Sequence, residues 1–586
     1  MKTDWNLKQL YKSINDPEIE KDIKTSEEAV LSFIKKWKKN KEYLKDPKVL
    51  KDALDQFEKL NENPGIYDKP IYYFSLLNSL NQTDPEIKGK LNKLSQLSTD
   101  LHNQVQFFEL NISKVKKEQQ EIFLKSPLLK EYRHYLESLF KEGEFLLTDK
   151  EEKVFNLMSK TSHSNWVNMV SELLSKQKLK VLDEEKKKFE ISYNEAAKYL
   201  NSKQKEVRDY AAKEFNKVNE RYVEIAEFEI NSVLERKQRS DQYRKVPRPD
   251  LLRHIADDIE SEVVDILLDV VSNNFNISQE YYKRKAKLLN QETLGYHERN
   301  VPLGKIEREY EYDESMELVK ETFKNIDDSF YNIVKDLSAS GQYDAFPKQN
   351  KNGGAFCITV SKKLPTFVML NHNKKLNDVL TIAHESGHAI HSTMSKFQNS
   401  LNSSYPTSLA EVASTFFEDF VLEEILKDAD DDLRFSILAE KLNSDISSIF
   451  RQVAFYNFEK DLHKEFRKSG YLSKKDISNI FCKHMSSYLG DAVEVDNGMK
   501  NGWIYWSHLR MFFYVYSYAS GLLISKGLQS MVREEKNNTE LVKEFLSSGS
   551  SKSPKDLFEG MGIDIMDKKF WKRGIKEIQN LLTKFN

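Results

Sequence analysis

The chain has 586 residues, and its 90 lysines and arginines nearly balance its 92 aspartates and glutamates. Because these charges alternate along the chain instead of forming blocks, the sequence offers no electrostatic footprint for nucleic acid. The length allows two or more lobes, and the low glycine (19) and proline (13) contents favour a mainly α fold.

The cysteines and the apolar segments indicate a soluble protein of a reducing compartment. Only Cys357 and Cys482 occur, and their spacing fits neither a disulfide framework nor a cysteine zinc site. The first residues contain no apolar signal segment, and no run approaches the roughly 18 apolar residues of a membrane span. We therefore expect a cytoplasmic location, no membrane association and no obligate protein partner.

Consecutive amphipathic helices are predicted over residues 1–190, which we interpret as an N-terminal helical lobe. One helix is expected to start at Thr25, because Thr25 and Glu28 have the spacing of a capping box. Val30, Phe33 and Trp37 follow on one apolar stripe. Residues 191–586 are then expected to form a second, catalytic domain.

Two short strands joined by a turn are predicted over 353–360 and 365–371, directly before the most informative motif of the chain. One interpretation is an edge strand that pairs with an extended peptide. The other interpretation, which the sequence supports equally, is a structural hairpin that only supports the following helix.

The motif itself reads His384, Glu385, Ser386, Gly387, His388. Two histidines four apart on a helix project from one face and can bind one zinc ion, with Glu385 beside them. Zinc lowers the pKa of a bound water from about 15.7 to roughly 7, and Glu385 is the candidate general base that takes its proton. The pattern favours amide hydrolysis over a chance match, because apolar flanks predict a buried helix whose polar groups need partners.

A catalytic zinc site needs a third protein ligand. The thermolysin-like spacing would require glutamate at Thr407, and the metzincin pattern would require glycine and histidine at His391 and Met394. Glu411, 23 positions after the second histidine, begins another apolar-striped helix that could pack beside the first. At this point an ordinary carboxylate at a helix start remains an open alternative.

Four separated segments agree in order and spacing with a known family: 353–357, 384–391, 408–415 and 513–521. Together they resemble oligoendopeptidase F, within the thimet-oligopeptidase-like zinc peptidases. The resemblance extends over almost the whole chain, from Trp5 to Ile565. One departure is the run from Tyr296 to Pro302, which differs from the commoner acidic and aromatic run and bears on local packing.

The resemblance implies a two-lobed, mainly α metallopeptidase that encloses a deep substrate channel, with a small β-sheet beside the zinc helix. One zinc ion would be held by His384, His388 and Glu411. Because such a channel excludes folded proteins, the implied substrates are short unstructured oligopeptides that are cut internally. A non-catalytic peptide-binding homologue and a dipeptidyl carboxypeptidase on the same scaffold remain as alternatives.

The resemblance also implies donors for the negative charge that develops on the attacked carbonyl oxygen. By motif order these are His508 and Tyr514, with Tyr516 and Tyr518 as substrate-binding residues. Aromatic core packing is the alternative for Tyr516 and Tyr518.

Two other residues lie near the predicted zinc site. His391 is more typical of a packing or supporting residue than of a fourth ligand. Glu418, two turns beyond Glu411, could orient one of the zinc histidines.

Overall fold

The computed structural model describes residues 2–62 and 68–585. Over these ranges the chain forms 26 α-helices and five short strands, which confirms the mainly α prediction. No helix in the described ranges has an apolar stretch long enough to cross a bilayer.

The chain divides into two compact units, each built from three segments. The first unit comprises Met1–Glu144, Glu307–Asp428 and Leu528–Asp564, and the second comprises Phe145–Ile306, Ala429–Gly527 and Ile565–Asn586. The boundary predicted near residue 190 does not coincide with these divisions. Each unit combines segments that are distant along the chain. A change in composition along the sequence does not reveal which segments pack together.

Within the described residues, the first unit contains thirteen helices, eleven of them in its first two segments, and a three-stranded sheet. Its helices are α1 (Pro17–Trp37), α2 (Pro47–Glu62), α3 (Asp68–Leu80), α4 (Pro85–Val105), α5 (Phe107–Ser113), α6 (Lys117–Lys125), α7 (Arg133–Gly143), α15 (Tyr312–Ile326), α16 (Asp328–Ser340), α17 (Leu376–Ser395) and α18 (Thr407–Lys427). It also includes α24 (Thr539–Ser547) and α25 (Pro554–Gly560), which come from its last segment.

In its described residues the second unit is mainly helical, with one antiparallel strand pair, β1 (Lys178–Leu182) and β2 (Lys188–Ser192). Its helices are α8 (Asp149–Ser159), α9 (Asn165–Ser175), α10 (Ala196–Leu200), α11 (Lys205–Arg244), α12 (Leu251–Ala256), α13 (Ser261–Ser272), α14 (Phe275–Leu288), α19 (Asp431–Ser448), α20 (Phe450–Ser469), α21 (Lys474–Leu489), α22 (Asn497–Lys500) and α26 (Lys568–Lys584). The remaining helix, α23 (Tyr516–Glu534), has residues in both units.

The first helix starts earlier than predicted. Asp16 is its N-cap and accepts a hydrogen bond from the backbone N–H of Glu18, and Pro17 occupies the first helical position. Thr25 lies inside the helix, where its hydroxyl donates to the carbonyl oxygen of Lys21 at 2.8 Å. The predicted start at Thr25 is wrong because an aspartate followed by proline is the stronger start signal.

The apolar stripe predicted on this helix is confirmed. Val30, Phe33 and Trp37 are buried in one cluster with residues of α2, α5 and α7. The ring of Trp37 meets Tyr43 edge to face, with 5.9 Å between ring centroids. This cluster forms one of the hydrophobic cores of the first unit.

The predicted strand pair before α17 is also confirmed. β4 (Phe356–Ile358) and β5 (Phe367–Met369) pair antiparallel, and both pack against α17. A further strand, β3 (Tyr343–Asp344), pairs parallel with β5, so that β4 is at one edge of the sheet. β3 was not predicted, because two residues are too few to display a strand period.

Candidate metal centre

The motif helix α17 and the Glu411 helix α18 pack closely at a glycine. A Cβ atom added to Gly387 would lie 2.8 Å from the Cα of Ser414 and 3.0 Å from the carbonyl oxygen of Ala413. Such distances are shorter than side chains tolerate. The glycine of the motif therefore permits the approach that brings α18 alongside the two histidines.

Three side chains from these helices converge. The Nε2 atom of His384 lies 3.3 Å from the Oε2 atom of Glu411, and the Nε2 atom of His388 lies 3.7 Å from the same oxygen. Ligands about 2.0–2.1 Å from a tetrahedral zinc ion are separated from one another by about 3.3–3.5 Å. Two imidazole nitrogens and one carboxylate oxygen at these separations fit a catalytic zinc ion.

Glu418 and Ser414 orient two of the three candidate ligands. The Oε2 atom of Glu418 lies 3.1 Å from Nδ1 of His384, and the Ser414 hydroxyl donates to Oε2 of Glu411 at 2.8 Å. A carboxylate that accepts from Nδ1–H leaves Nε2 of the same ring with its lone pair for a metal. This is the contact that the sequence suggested for Glu418.

The electrostatics of the three side chains follow from their contacts. Burial opposes the charged form of His384, but its hydrogen bonds to Glu411 and Glu418 outweigh this and raise its pKa to about 10. Burial would raise the pKa of Glu411, yet the hydrogen bond from His384 and the neighbouring histidines lower it to about 2. Burial lowers the pKa of His388 to about 4. These shifts favour a protonated His384 beside an ionised Glu411 in the protein alone.

Glu385 differs from the other carboxylates of the site. Its side chain is only 7% exposed, and burial raises its pKa to about 7 against the opposing charge of His384. A backbone hydrogen bond from Cys357 of β4 also favours its charged form. A carboxylate with this pKa can accept and return a proton near neutral pH.

His391 is a core residue in the structure. Its ring is 1% exposed and stacks on Tyr405 with 3.6 Å between ring centroids. Phe545 of α24 packs on the same ring at 5.4 Å. These contacts agree with the interpretation of His391 as a packing residue.

The late histidine and two of the tyrosines form a cluster in the second unit. Nε2 of His508 lies 3.2 Å from the hydroxyl of Tyr518, and the His508 and Tyr514 rings are nearly parallel, with centroids 5.9 Å apart. All three side chains are partly exposed. Burial and the charge of Arg451 lower the pKa of His508, which keeps the ring neutral at neutral pH.

Tyr516 does not join this cluster. Its side chain has no exposed surface, and its hydroxyl donates to Asp257 at 2.8 Å. These contacts are the ones expected for a core residue, the alternative stated for Tyr516. A ring buried in this way cannot contact a peptide in this conformation. The cause is helical periodicity, because α23 begins at Tyr516 and turns it inward while Tyr514 and Tyr518 face each other, 5.5 Å apart.

The residues that support this cluster were not predicted, because no local pattern marks them. The guanidinium carbon of Arg253 lies 4.8 Å from the ring centroid of Tyr514, and Arg253 is itself paired with Asp257 at 2.7 Å. Phe512 and Phe513, just before Tyr514, have φ angles of 52° and 54°, and the N–H of Phe513 donates to Glu459 at 2.8 Å. Non-glycine residues rarely adopt such angles, so the backbone here is strained.

Comparison with known proteins agrees with this arrangement. Oligopeptidase PepF of Bacillus subtilis is 24% identical over 554 residues, which cover 91% of this chain and 81% of that protein. A crystal structure from Chlamydophila abortus, described as a candidate peptidase, is 22% identical, with a TM-score of 0.87 over 100% of this chain and 98% of that one. Oligoendopeptidase-F from Enterococcus faecium is 20% identical, with a TM-score of 0.69 over 97% and 96%. The likeness to the two structures shows the fold.

Family models match most of the chain. The Oligopeptidase F model matches residues 111–178. The Peptidase family M3 model matches residues 198–577, a range that includes α17 and α18 with their three converging side chains. With well over half of its length matched, the chain belongs to Peptidase family M3.

Proposed function

We propose that the protein is a zinc-dependent endopeptidase that cuts internal bonds of short, unstructured oligopeptides. Membership in Peptidase family M3 supports peptidase activity. The relatives named oligopeptidase or oligoendopeptidase F support the oligopeptide part of the proposal. The observation that carries the zinc part is the approach of His384, His388 and Glu411 to within 4.8 Å of one another.

In this proposal His384 and His388 would hold one zinc ion through Nε2, and Glu411 through a carboxylate oxygen. When bound, zinc supplies a Lewis acid that acidifies water and polarises a peptide carbonyl. Glu418 keeps the His384 ring in the required tautomer by accepting from Nδ1.

Glu385 would act as the general base. Its carboxylate takes a proton from the attacking water and then donates it to the nitrogen of the departing amine. Its raised pKa supports both steps, because neither protonation state is strongly favoured near pH 7.

His508, Tyr514 and Tyr518 would supply hydrogen-bond donors to the substrate. The neutral His508 ring has one N–H, and each tyrosine has one hydroxyl. Such donors contribute when they are held in place before the reaction, and the Arg253 contact holds Tyr514. We also propose a cytoplasmic location, since Cys357 and Cys482, both in the described ranges, are free thiols.

The decisive experiment is digestion of a mixed peptide library by the purified protein, with metal analysis of the same sample. We expect about one zinc per chain, internal cleavage and a limit on substrate length. Release of only C-terminal dipeptides would favour the dipeptidyl carboxypeptidase alternative. Peptide binding without products, at full zinc content, would favour the non-catalytic homologue.

A further inference from the structure

A cavity of about 320 Å³ in the second unit plays no part in the proposed peptidase chemistry. Tyr193, Phe215 and Tyr505 line one part of it, and Arg299 and Asn300 line another. Small-molecule sites typically have about 300–1,000 Å³, mostly apolar walls and a few polar groups that orient the ligand. The cavity has this composition and lies at the lower end of that size range.

Arg299 is the charged group of this cavity, and it lacks a counter-ion. Its Nη1 donates to the carbonyl oxygen of Tyr296 at 2.6 Å, and its guanidinium carbon lies 3.9 Å from the Tyr296 ring centroid. Its Nε is buried without a hydrogen-bond partner. Within residues 2–62 and 68–585, no carboxylate lies within 4 Å of this guanidinium, whereas nearby Arg208 pairs with Glu298 at 2.7 Å.

The surroundings of Arg299 add positive charge. The buried ammonium of Lys285 donates to the carbonyl oxygen of Arg299 at 2.7 Å. Burial and the charge of Arg299 lower the pKa of Lys285 to about 7. Because buried charges are normally paired, this region is short of one negative group.

Two other residues that line the cavity keep buried polar atoms without partners. They are the hydroxyl of Tyr296 and the side-chain oxygen of Asn300. A carboxylate in the cavity would supply a counter-ion for Arg299. Small side-chain shifts would then let it accept from the tyrosine hydroxyl, and a neighbouring N–H could donate to the asparagine oxygen. An α-carboxylate beside an amino or amide nitrogen combines these two features.

We propose that this cavity binds the α-carboxylate of an amino acid or of the C-terminal residue of a short peptide, with Arg299 as its counter-ion. The aromatic and aliphatic walls, which include Leu200 and Ala212, would hold an apolar side chain. The choice of an amino-acid ligand rests on the proposed peptidase function, whereas the need for a carboxylate rests on Arg299. The run from Tyr296 to Pro302, which departs from the family pattern, thus supplies a binding group.

The test is calorimetric titration of the zinc-loaded protein with three probes: phenylalanine, N-acetylphenylalanine and N-acetylphenylalaninamide. We expect a carboxylate probe to bind at least tenfold more tightly than the amide, since a charged hydrogen bond is lost with the amide. Tighter binding of phenylalanine would identify the source as free amino acids, and tighter binding of N-acetylphenylalanine would identify it as peptide ends.

Variants then locate the binding. Arg299→Gln should weaken the binding of the two carboxylate probes by about tenfold or more. Ala197→Trp, at an exposed position of the cavity wall, should block binding while Arg299 stays in place, and Ala197→Ser is its matched control. Glu411→Gln should leave the binding intact, because it alters only the metal centre.

Equal binding of the amide, or binding that survives both Arg299→Gln and Ala197→Trp, would overturn the proposal. So would binding that disappears with Glu411→Gln, since it would show that the probes bind the metal. Cleavage of a quenched peptide by the wild-type protein, measured separately, reports on the proposed function. Failure of one proposal is therefore distinguishable from failure of the other.

Discussion

Burial mainly sets the pKa of Glu385, in contrast to Glu411, which lies 26 positions further along the chain on the neighbouring helix. Burial raises the pKa of Glu385 to about 7, whereas histidine contacts lower that of Glu411 to about 2. Two carboxylates with such different environments suit different tasks. One can exchange protons near neutral pH, and the other remains an anion that can bind a cation.

Replacing Glu385 by glutamine should remove the base and keep the shape of the side chain. We expect turnover of a quenched peptide of about ten residues to fall by roughly 10²–10⁴, the usual contribution of general base catalysis. Zinc content should stay unchanged, because no ligand is altered. Glu540→Gln, on an exposed carboxylate of α24, is the control. Full activity with zinc bound would remove Glu385 from the mechanism.

Zinc binding should release a proton. The pKa of His384 is raised to about 10, so this ring is protonated at neutral pH in the protein alone and must lose its proton to bind zinc. His388, with a pKa lowered to about 4, is already neutral. Zinc affinity should therefore rise with pH between 6 and 8, by about tenfold per unit.

Titration of the chelator-stripped protein with zinc, in buffers of different ionisation enthalpy, measures this release directly. We expect about one proton per zinc ion. A flat pH dependence with no proton released would show that His384 binds zinc from its neutral form.

At the residue scale, the sequence predicted the convergence of His384, His388 and Glu411 because helical spacing and a family pattern constrain them. It could not identify Arg253, which lies more than 250 positions before the tyrosine that it contacts. Tyr516 was predicted as a substrate-binding residue from motif order in the family resemblance, and motif order does not show which way a side chain faces. The position where a helix begins decides that question, and local sequence determines it poorly.

At the scale of elements, the proposed metal centre depends on how closely α17 and α18 approach. Gly387 faces the backbone of α18, with no room for a Cβ atom. Glycine in a helix interior costs about 1 kcal/mol relative to alanine. The close contact, and the ligand that it brings, compensate for this local cost.

Gly387→Ala should force the two helices apart. The nearest atoms belong to the backbone of Ser414 and Ala413, which cannot rotate away, so we expect a loss of about 1–3 kcal/mol in the free energy of unfolding. Zinc affinity should fall as well. Urea unfolding and zinc titration measure the two effects.

Gly89→Ala in α4 is the matched control, because a Cβ there meets nothing within 4 Å. That change should be neutral or stabilise the protein by up to about 1 kcal/mol. Equal behaviour of the two variants would contradict the packing role of Gly387.

The start of α23 allows a second comparison. Tyr514→Phe should lower kcat more than it raises KM, if the hydroxyl contacts the substrate mainly in the transition state. Tyr516→Phe should instead lower stability by about 1–3 kcal/mol, because it leaves the buried carboxylate of Asp257 without this donor. Equal changes in kcat and KM for Tyr514→Phe would indicate a packing role.

The sequence predicted the strands β4 and β5 better than the start of the first helix. The pair of β4 and β5 was predicted correctly because glycine, proline and β-branched residues mark its limits. The start of the first helix was predicted too late because Thr25 and Glu28 have the spacing of a capping box, whereas the helix begins after Asp16. Capping patterns occur within helices too, and only the hydrogen bonds distinguish the two cases.

At the scale of the whole molecule, each compact unit is assembled from three separate segments. The proposed metal ligands belong to the middle segment of the first unit, and the His508 cluster belongs to the second unit. The sequence predicted two lobes but placed the boundary by helix content alone. The deep channel remains a prediction from the family resemblance.

Removal of zinc by a chelator should reduce hydrogen-exchange protection mainly in the first unit. Zinc would link α17 to α18, so its removal should lower hydrogen-exchange protection across residues 376–427. The helix α20, buried in the second unit, serves as the internal reference. Hydrogen-exchange mass spectrometry with and without chelator measures both, and an equal loss in the two regions would contradict a local role for the metal.

The packing of Phe545 against the ring of His391 has a consequence for biosynthesis. Phe545 belongs to α24, which packs on the motif helix α17 from about 150 positions further along the chain. While the ribosome is still making the residues before α24, the motif helix lacks part of the surface that buries it. The packing around the motif helix is therefore completed only after the ribosome has made the residues of α24.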